Sequence, residues 1–243
     1  DFAGEEPLMW QEYPSYPDEA FAVSIEGCYY AAQLATARKQ GRVVETLPDI
    51  SAPVNTFWDI GKGDMTCIWF HQKVQQENWF IHYYEASGED LDHYAQHLQG
   101  TKYIFGTHYL PHEAAHKRIG KDPDHNQSTQ ENLEELMPGQ RFEIVSQVTR
   151  LIAGINSTRK QLSTCRFSEQ GCRQGRKRLG GYRKGWDKTR ACWTDNHVHN
   201  DDSHGADAFR QFGQVADAGE AFAVVAAQSK RRSGARRPPN WRT

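Results

Sequence analysis

The stretch VNTFWDIGKGDMTCIWF, from Val54 to Phe70, constrains the fold more than any other part of the chain. Two apolar runs flank the turn Gly61-Lys62-Gly63-Asp64, which predicts a β-hairpin with strands over Val54–Trp58 and Met65–Phe70. Asp59 follows the first strand directly, where an apolar side chain would be cheaper to bury. A buried carboxylate is costly unless it is paired or holds a cation. Asp59 is therefore a candidate metal ligand, and capping of the turn is the alternative role.

Further apolar runs extend this hairpin into a sheet. Three more strands are predicted over Asn78–Glu85, Tyr103–Thr107 and Phe142–Ser146. Helices are predicted over Tyr29–Gln40, Asp90–Leu98, Thr129–Met137, Thr149–Leu162, Phe167–Leu179 and Ser203–Gln214. Short turns join the first three strands, which should be antiparallel, whereas helices lead to the last two, which should be parallel. The predicted fold is α/β, with a mixed five-stranded sheet flanked by helices.

The composition is that of one globular domain with appendages. The chain has 243 residues, including 7 Trp, 10 Tyr and 11 Phe, and a formal net charge of −2. That small charge conceals two basic blocks. Nine Lys or Arg stand against two acids from Arg166 to Arg190, and six basic residues stand with no acid from Gln228 to Thr243. Such blocks favour a polyanionic partner, and a solvated helix face is the alternative for the first.

The cysteines and the termini indicate the compartment. The five cysteines are odd in number and contain no CxxC pair, which favours a reducing compartment without a disulfide framework or structural zinc. No apolar run approaches transmembrane length. The first residues do not resemble a signal peptide and include no initiator Met. We therefore expect a non-membrane protein whose chain starts inside a longer polypeptide.

Three acidic residues are expected to meet at one edge of the sheet. Asp59 ends the first strand, Glu113 follows the fourth, and Asp207 lies on the first turns of a late helix. The carboxyl ends of adjacent parallel strands lie at one edge, where ligand sites form. Carboxylates suit Mg²⁺ or Mn²⁺, and two such ions can clamp a phosphodiester, one activating water and the other stabilising the leaving oxygen. His204 precedes Asp207 by one helical turn and shares its face.

Taken singly, each acid has an ordinary structural role as the simpler explanation, such as a first-turn acid favoured by the helix dipole. Taken together, and with basic segments nearby, the acids favour metal-dependent phosphodiester chemistry.

Three motifs in order resemble the C-terminal nuclease domain of tailed-phage terminase large subunits. They are WDIGKGDMT, LPHEA and DDSHGADAFR. The segment EYPSYPDEAF also resembles the connector that leaves the ATPase domain of such proteins, so the resemblance spans about residues 8–212. It implies a ribonuclease H-like fold and a metal-dependent endonuclease that cuts concatemeric viral DNA during genome packaging.

The resemblance also implies site residues. Asp59, Glu113 and Asp207 correspond to the acidic triad that binds two Mg²⁺ or Mn²⁺ ions, and His204 to the histidine of a late His-x-x-Asp element. Glu113 departs from the Asp found in many relatives, which leaves its metal geometry open. Asp64 and Asp202 are near enough in sequence to be secondary ligands, although turn or cap roles are favoured for both.

The basic segment between the motifs is expected to hold the DNA backbone without reading sequence. The residues assigned to this role are Arg173, Arg176, Lys177, Arg178, Arg183 and Lys184.

The resemblance divides the chain into three parts. Residues 1–27 would be the connector from an upstream ATPase domain, 28–215 the nuclease domain, and 216–243 a basic flexible tail. The phosphate-binding pattern G-x-x-x-x-G-K-[ST] is absent, so ATP hydrolysis is not expected of this chain. Expected partners are double-stranded DNA, the terminase small subunit, the portal protein and the upstream ATPase domain. The expected location is the bacterial host cytoplasm, transiently at the procapsid portal.

Two other functions stay open. His112-Glu113-Ala114-Ala115-His116 matches the H-E-x-x-H pattern of zinc metalloproteases. That motif needs a long helix, whereas Pro111 and Gly120 limit any helix here to about two turns. The basic segments also fit a non-catalytic module that binds DNA or the portal.

Overall fold

The computed structural model describes residues 27–45, 52–61, 63–117, 127–219 and 222. The predicted connector lies outside these residues up to residue 26, and so do residues 118–126. Within the predicted tail, every residue after 219 except Phe222 also lies outside them.

A seven-stranded mixed sheet forms the centre of the molecule. Its strands are β1 (Val43–Val44), β2 (Val54–Asp59), β3 (Met65–Val74), β4 (Glu77–Ser87), β5 (Phe105–Leu110), β6 (Arg141–Ile144) and β7 (Cys165–Ser168). They lie in the order β1-β7-β4-β3-β2-β5-β6. The β2, β3 and β4 strands are antiparallel neighbours, whereas β5 and β6 continue from β2 in parallel. The predicted five-stranded arrangement is thus confirmed, and two strands extend it at the β4 edge.

Helices cover both faces of this sheet. They are α1 (Ala31–Lys39), α2 (Leu91–Gln99), α3 (Thr129–Leu136), α4 (Leu151–Gln161), α5 (Arg173–Gly181) and α6 (Asp201–Asp217). One buried cluster contains side chains of α4, α5 and α6, and the other contains those of α2 and α3. No helix among the described residues is long and apolar enough to cross a membrane.

The alternation of side chains in β2 and β3 explains why these strands are almost wholly apolar. Phe57 and Trp69 point into the cluster that holds α6, whereas Trp58 and Ile68 point into the cluster that holds α2. All four are fully buried. A strand covered on both faces needs apolar residues at every position, so its sequence forms a continuous apolar run.

The prediction of a helix over Phe167–Leu179 was wrong at its start. Cys165–Ser168 form β7 instead, parallel to both β4 and β1, and the helix begins only at Arg173. Phe167 stacks on Phe80 with ring centroids 5.4 Å apart. Burial of this ring on the sheet outweighs the helical periodicity of the residues that follow, because tertiary packing routinely overrides local propensity.

A second sheet was not predicted. Lys184–Asp187 form β8 and Cys192–His197 form β9, which pair as an antiparallel hairpin. Residues 195–197 are thus part of a strand. Trp186 and Trp193 face each other across the hairpin with ring centroids 4.9 Å apart. Such a cross-strand aromatic pair stabilises a hairpin whose other positions are polar.

Candidate active site

Asp59 closes β2 on the face of the sheet that α6 covers. It follows Phe57 by two residues, and alternate residues of a strand share a face. Asp59 pairs with Cys67 of β3, and Cys67 pairs with Glu85 of β4. These three side chains therefore form a row across the sheet beneath the start of α6. The carboxylate of Asp59 is 23% exposed, so it lies at the boundary between core and solvent.

The sequence before α6 fixes where this helix begins. The side chain of Asn200 accepts hydrogen bonds from the backbone N–H groups of Asp202 and Ser203, at 3.1 and 3.3 Å, and Ser203 completes a capping box. Such a cap satisfies backbone donors that have no partner within the helix. His204 and Asp207 then lie three residues apart on one face.

A glycine and a tryptophan hold α6 against the sheet. The indole N–H of Trp69 donates to the carbonyl of Gly205 at 2.8 Å. A Cβ atom at Gly205 would lie 2.7 Å from Cβ of Arg178 and 2.8 Å from the hydroxyl of Tyr83. Because no such atom is present, α6 approaches α5 and Tyr83 of β4 closely at the turn between His204 and Asp207.

His204 lies between two carboxylates. Its Nδ1 is 3.0 Å from Oδ2 of Asp59, and its Nε2 is 3.1 Å from Oδ2 of Asp64. The hydrogen bond with Asp59 raises the pKa of His204, and the negative charge of Asp64 adds to that rise. The Asp64 carboxylate in turn accepts the backbone N–H of Met65 at 2.7 Å, which lowers the pKa of Asp64. The turn that carries Asp64 requires a glycine, because Gly63 has φ of 75°.

Asp207 is a largely buried acid held by a largely buried arginine. Nη1 of Arg210 donates to its Oδ1 at 2.6 Å. Burial raises the pKa of Asp207 to about 6, an effect that Arg210 opposes and the negative charge of Asp59 reinforces. The effect of the Asp59 charge on Asp207 indicates that the two acids lie near each other.

Glu113 lies at the same sheet edge, and its carboxylate contacts the neighbouring His112. Phe57 of β2 pairs with Tyr109 of the parallel strand β5, so the chain leaves β5 beside Asp59. The Glu113 carboxylate is 58% exposed and contacts Nδ1 of His112 at 2.9 Å. Among the described contacts, none joins Glu113 to Asp59 or Asp207.

The H-E-x-x-H pattern does not form the helix that a zinc protease requires. His112–Ala115 form a single 3₁₀ helix, and His116 lies beyond it. Glu113 is bonded to His112 itself. This local geometry does not present the two histidines on one face of an α-helix.

Some residues of the basic segment are held in ion pairs with acidic residues, whereas others are exposed. Arg178 forms ion pairs with Glu85 at 2.8 Å, Asp201 at 3.3 Å and Asp202 at 3.4 Å. Arg176 pairs with Glu169 at 3.0 Å, and both arginine side chains are less than 15% exposed. Asp202 is thus held by Arg178. The exposed members of the predicted set are Arg173 and Lys177, while Arg183 and Lys184 are half-buried near the β8–β9 hairpin.

Three residues of this region have roles that the sequence did not suggest. Arg210 binds Asp207, Arg178 ties α5 to the start of α6, and His199 lies beside His204 with ring centroids 5.0 Å apart. The spacing His199 to His204 spans the helix cap, so helical periodicity gave no signal. For Arg210, the i, i+3 spacing to Asp207 was a usable signal.

The donor set fits divalent cations. Two converging carboxylates, Asp59 and Asp207, present the oxygen ligands that Mg²⁺ and Mn²⁺ prefer. Burial is the main cause of the raised pKa of Asp207, and the negative charge of Asp59 adds to it; a bound cation would oppose this rise.

A separate cleft opens on the other face of the sheet. It has a volume of about 830 Å³ and lies between the β2–β3 turn, α2 and α3. Its lining includes Glu89, Asp90, Asp92 and Glu135. These acids would repel a polyanion, so the cleft is not suited to binding a nucleic acid.

No protein-family model matches the sequence, and no curated protein matches it either. Among solved structures, the large terminase from the thermophilic bacteriophage D6E aligns with a TM-score of 0.54 at 19% identity, over 72% of this chain and 42% of that one. The same terminase in complex with ATP-γ-S aligns with a TM-score of 0.55 at 18% identity, with the same coverage. The chain thus spans 42% of the length of these terminases.

A shorter structure is also similar. The large terminase nuclease from thermophilic phage G20c, with bound magnesium, aligns over 78% of this chain and 98% of that one, at 9% identity and a TM-score of 0.48. That score is too low to carry an argument. The D6E alignments, together with the observed strand order, show that this chain has a fold found in large terminases, the ribonuclease H-like mixed sheet expected from the sequence.

Proposed function

We propose that this chain is the nuclease part of a viral terminase large subunit, a metal-dependent endonuclease that cuts concatemeric DNA during genome packaging. The observation that carries the proposal is the contact of His204 with Asp59 at 3.0 Å, which brings the α6 face that carries Asp207 to the end of β2. This arrangement lies on the fold that large terminases share.

In this mechanism Asp59 and Asp207 would hold two Mg²⁺ or Mn²⁺ ions, with Glu113 as the third acid. When bound, such ions activate water and stabilise the oxygen that leaves a phosphodiester. His204 orients the Asp59 carboxylate through the bond at Nδ1. Arg210 fixes the rotamer of Asp207. Arg178 holds the first turn of α6 through Asp201 and Asp202, which makes Asp202 a positioning residue rather than a ligand.

The domain organisation is part of the proposal. Residues 28–215 form the nuclease domain, 1–27 connect it to an ATPase domain of the same polypeptide, and 216–243 form a basic tail. Support comes from the D6E terminase, which was solved with ATP-γ-S and of which this chain spans 42%. This chain has no G-x-x-x-x-G-K-[ST] pattern. DNA, the small subunit and the portal are the proposed partners, in the cytoplasm of a bacterial host.

Plasmid cleavage tests the proposal. Supercoiled plasmid is incubated with the chain and Mg²⁺, Mn²⁺ or a chelator, and the nicked and linear products are measured. We expect cleavage with either ion, none with chelator, and a loss of about a hundredfold or more in Asp59→Asn and Asp207→Asn, because these carboxylates act on the reacting phosphate through the ions. Asp217→Asn is a matched control on the same helix, since Asp217 pairs with Lys160 at the surface.

Two results would overturn the proposal. Cleavage that survives both Asp59→Asn and Asp207→Asn in folded protein would remove these acids from the centre. DNA binding without cleavage under any metal, in a polypeptide that also carries the ATPase domain, would leave a non-catalytic binding module. Glu113→Gln tests the third acid, because a loss as large as that of the other two requires its carboxylate to act with them.

A further inference from the structure

The imidazole of His204 faces two carboxylates with its two nitrogens. Nδ1 is 3.0 Å from Asp59, and Nε2 is 3.1 Å from Asp64. A neutral imidazole carries one N–H and can donate to only one of them. The second carboxylate then faces a lone pair at close range. This contact is favourable only if a second proton or a cation lies between Nε2 and Asp64.

A second histidine, His199, lies close to the contact between His204 and Asp64 and completes a set of three potential ligands. One nitrogen of His199, one nitrogen of His204 and one carboxylate oxygen of Asp64 lie within 4.8 Å of one another. An ion bonded at about 2.1 Å separates its ligands by roughly 3 to 4 Å, so a small closure of exposed side chains brings all three into range. His199 and Asp64 are exposed, which leaves the site open to solvent.

Neighbouring groups set the tautomer of both rings. Asp59 accepts from Nδ1 of His204, which leaves Nε2 as the lone pair. The Ser203 hydroxyl donates its hydrogen to the Asn200 carbonyl at 2.6 Å, so it accepts from Nδ1 of His199, 3.3 Å away. Nε2 is then the nitrogen of His199 that carries the free lone pair. Metal-ligating histidines characteristically donate their other N–H to such an acceptor.

A backbone hydrogen bond orients the third potential ligand, Asp64. Oδ1 of Asp64 accepts the backbone N–H of Met65 at 2.7 Å, which holds the carboxylate while Oδ2 faces His204. We propose that Asp64, His199 and His204 bind a transition-metal dication, with Zn²⁺ as the preferred ion, at a site separate from the pair Asp59 and Asp207. Two imidazoles and one carboxylate favour such ions, whereas Mg²⁺ prefers an all-oxygen shell with several waters.

Calorimetric titration of Zn²⁺ into the full chain, with millimolar Mg²⁺ present throughout, tests the site. We expect saturable binding of Zn²⁺ at a stoichiometry of one per chain. His199→Gln and Asp64→Asn should each weaken it by at least about tenfold, the effect that even an outer partner of a metal ligand produces. His197→Gln, two residues from His199, is the matched control and should keep the affinity. Binding that Mg²⁺ abolishes, or that both substitutions leave unchanged, would overturn the proposal.

Nuclear magnetic resonance of the histidine rings provides a test without substitutions. Zn²⁺ should shift the Nε2 signals of His199 and His204 and leave that of the buried His71 in place. The absence of a shift in either ring would overturn the site.

The two metal sites are distinguishable, because this proposal does not rest on the nuclease assignment. Asp207→Asn removes a ligand of the proposed nuclease centre and none of the three Zn²⁺ ligands. Retained Zn²⁺ affinity in this variant supports separate sites, and its loss contradicts them.

Discussion

At the scale of single residues, the ion pair between Asp207 and Arg210 illustrates how burial determines the worth of a contact. The two side chains are 2.6 Å apart and 20% and 16% exposed. Another pair on α6, Asp217 with Lys160, has the same separation, but its lysine is 71% exposed. Removing one partner of a buried pair leaves an uncompensated charge, whereas an exposed charge remains solvated.

Arg210→Met should therefore lower the free energy of unfolding by about 3 kcal/mol, and Lys160→Met by less than about 1 kcal/mol. Urea denaturation at neutral pH measures both values. Asp207→Asn combined with Arg210→Met should recover part of the loss, because the asparagine carries no charge to bury. Equal losses in the two single variants would contradict the argument.

Some contacts in this region could be expected from spacing along the chain, whereas others involve partners that spacing does not reveal. Asp59, His204 and Asp207 were predicted, because a strand end and a one-turn helical spacing are visible in the chain. His199 was missed, because its approach to His204 depends on the cap of α6 rather than on periodicity. Arg178 was predicted to bind DNA, yet its closest partner, Glu85, is 93 residues away along the chain.

At the scale of elements, the packing of α5 against the sheet depends on one glycine. A Cβ atom at Gly175 would lie 2.4 Å from the Trp69 ring and 2.7 Å from the Tyr83 ring, and Trp69 is fully buried. Gly180, on the same helix, offers a matched position, where a Cβ atom would meet only Leu34 at 3.9 Å.

Gly175→Ala should destabilise the chain by about 1 to 3 kcal/mol through overpacking. Gly180→Ala should be neutral or stabilise it by up to about 1 kcal/mol, because alanine favours the helix. Chemical denaturation of the two variants side by side gives the comparison. If Gly175→Ala matched Gly180→Ala, α5 would have to pack less closely on β3 than the structure indicates.

The strands also differ in how far the local sequence pattern predicts them. The central strands β2 and β3 lie in long apolar runs, which burial on both faces imposes directly on the sequence. The β7 strand has only four residues, two of them polar, and it joins the sheet through contacts of Phe167 with Phe80 and Phe209. Local pattern alone does not carry that information, so the sheet edge at β7 and β1 could not be predicted.

At the scale of the whole molecule, buried neutral histidines link stability to pH. Burial lowers the pKa of His71 to about 3. The unfolded chain binds a proton at this residue below about pH 6.5, whereas the folded chain does so only near pH 3, so acid favours unfolding. His71 lies among the rings of Phe57, Phe80 and Phe212, and its Nε2 contacts Oδ1 of Asn78 at 3.0 Å.

Wild type should therefore lose stability relative to His71→Phe by about 1.4 kcal/mol per pH unit between pH 6 and pH 4. Denaturant midpoints and slopes at several pH values measure this difference. Phe212→Leu is the control, because it removes packing next to His71 but no titratable group, so its difference from wild type should stay constant. A constant difference for His71→Phe as well would mean that the ring is solvated in the folded protein.

The distribution of charge on the molecule predicts where DNA is bound, if the proposed function is correct. Arg173 and Lys177 are exposed and four residues apart on α5, so they face solvent together. Arg176 is paired with Glu169 and offers little charge to a ligand. The exposed pair should therefore contact DNA phosphates, while the paired arginine holds the fold.

Arg173→Gln and Lys177→Gln should each reduce the slope of log affinity against log salt by about 1, because each phosphate contact releases about one counterion. The loss should be similar for unrelated DNA sequences, since phosphate contacts carry no base information. Fluorescence anisotropy over a range of salt concentrations measures the slope, with the exposed Lys102→Gln on the other side of the sheet as control. Should Lys102→Gln change the slope while the α5 variants do not, DNA would have to cross the opposite face, away from Asp59 and Asp207.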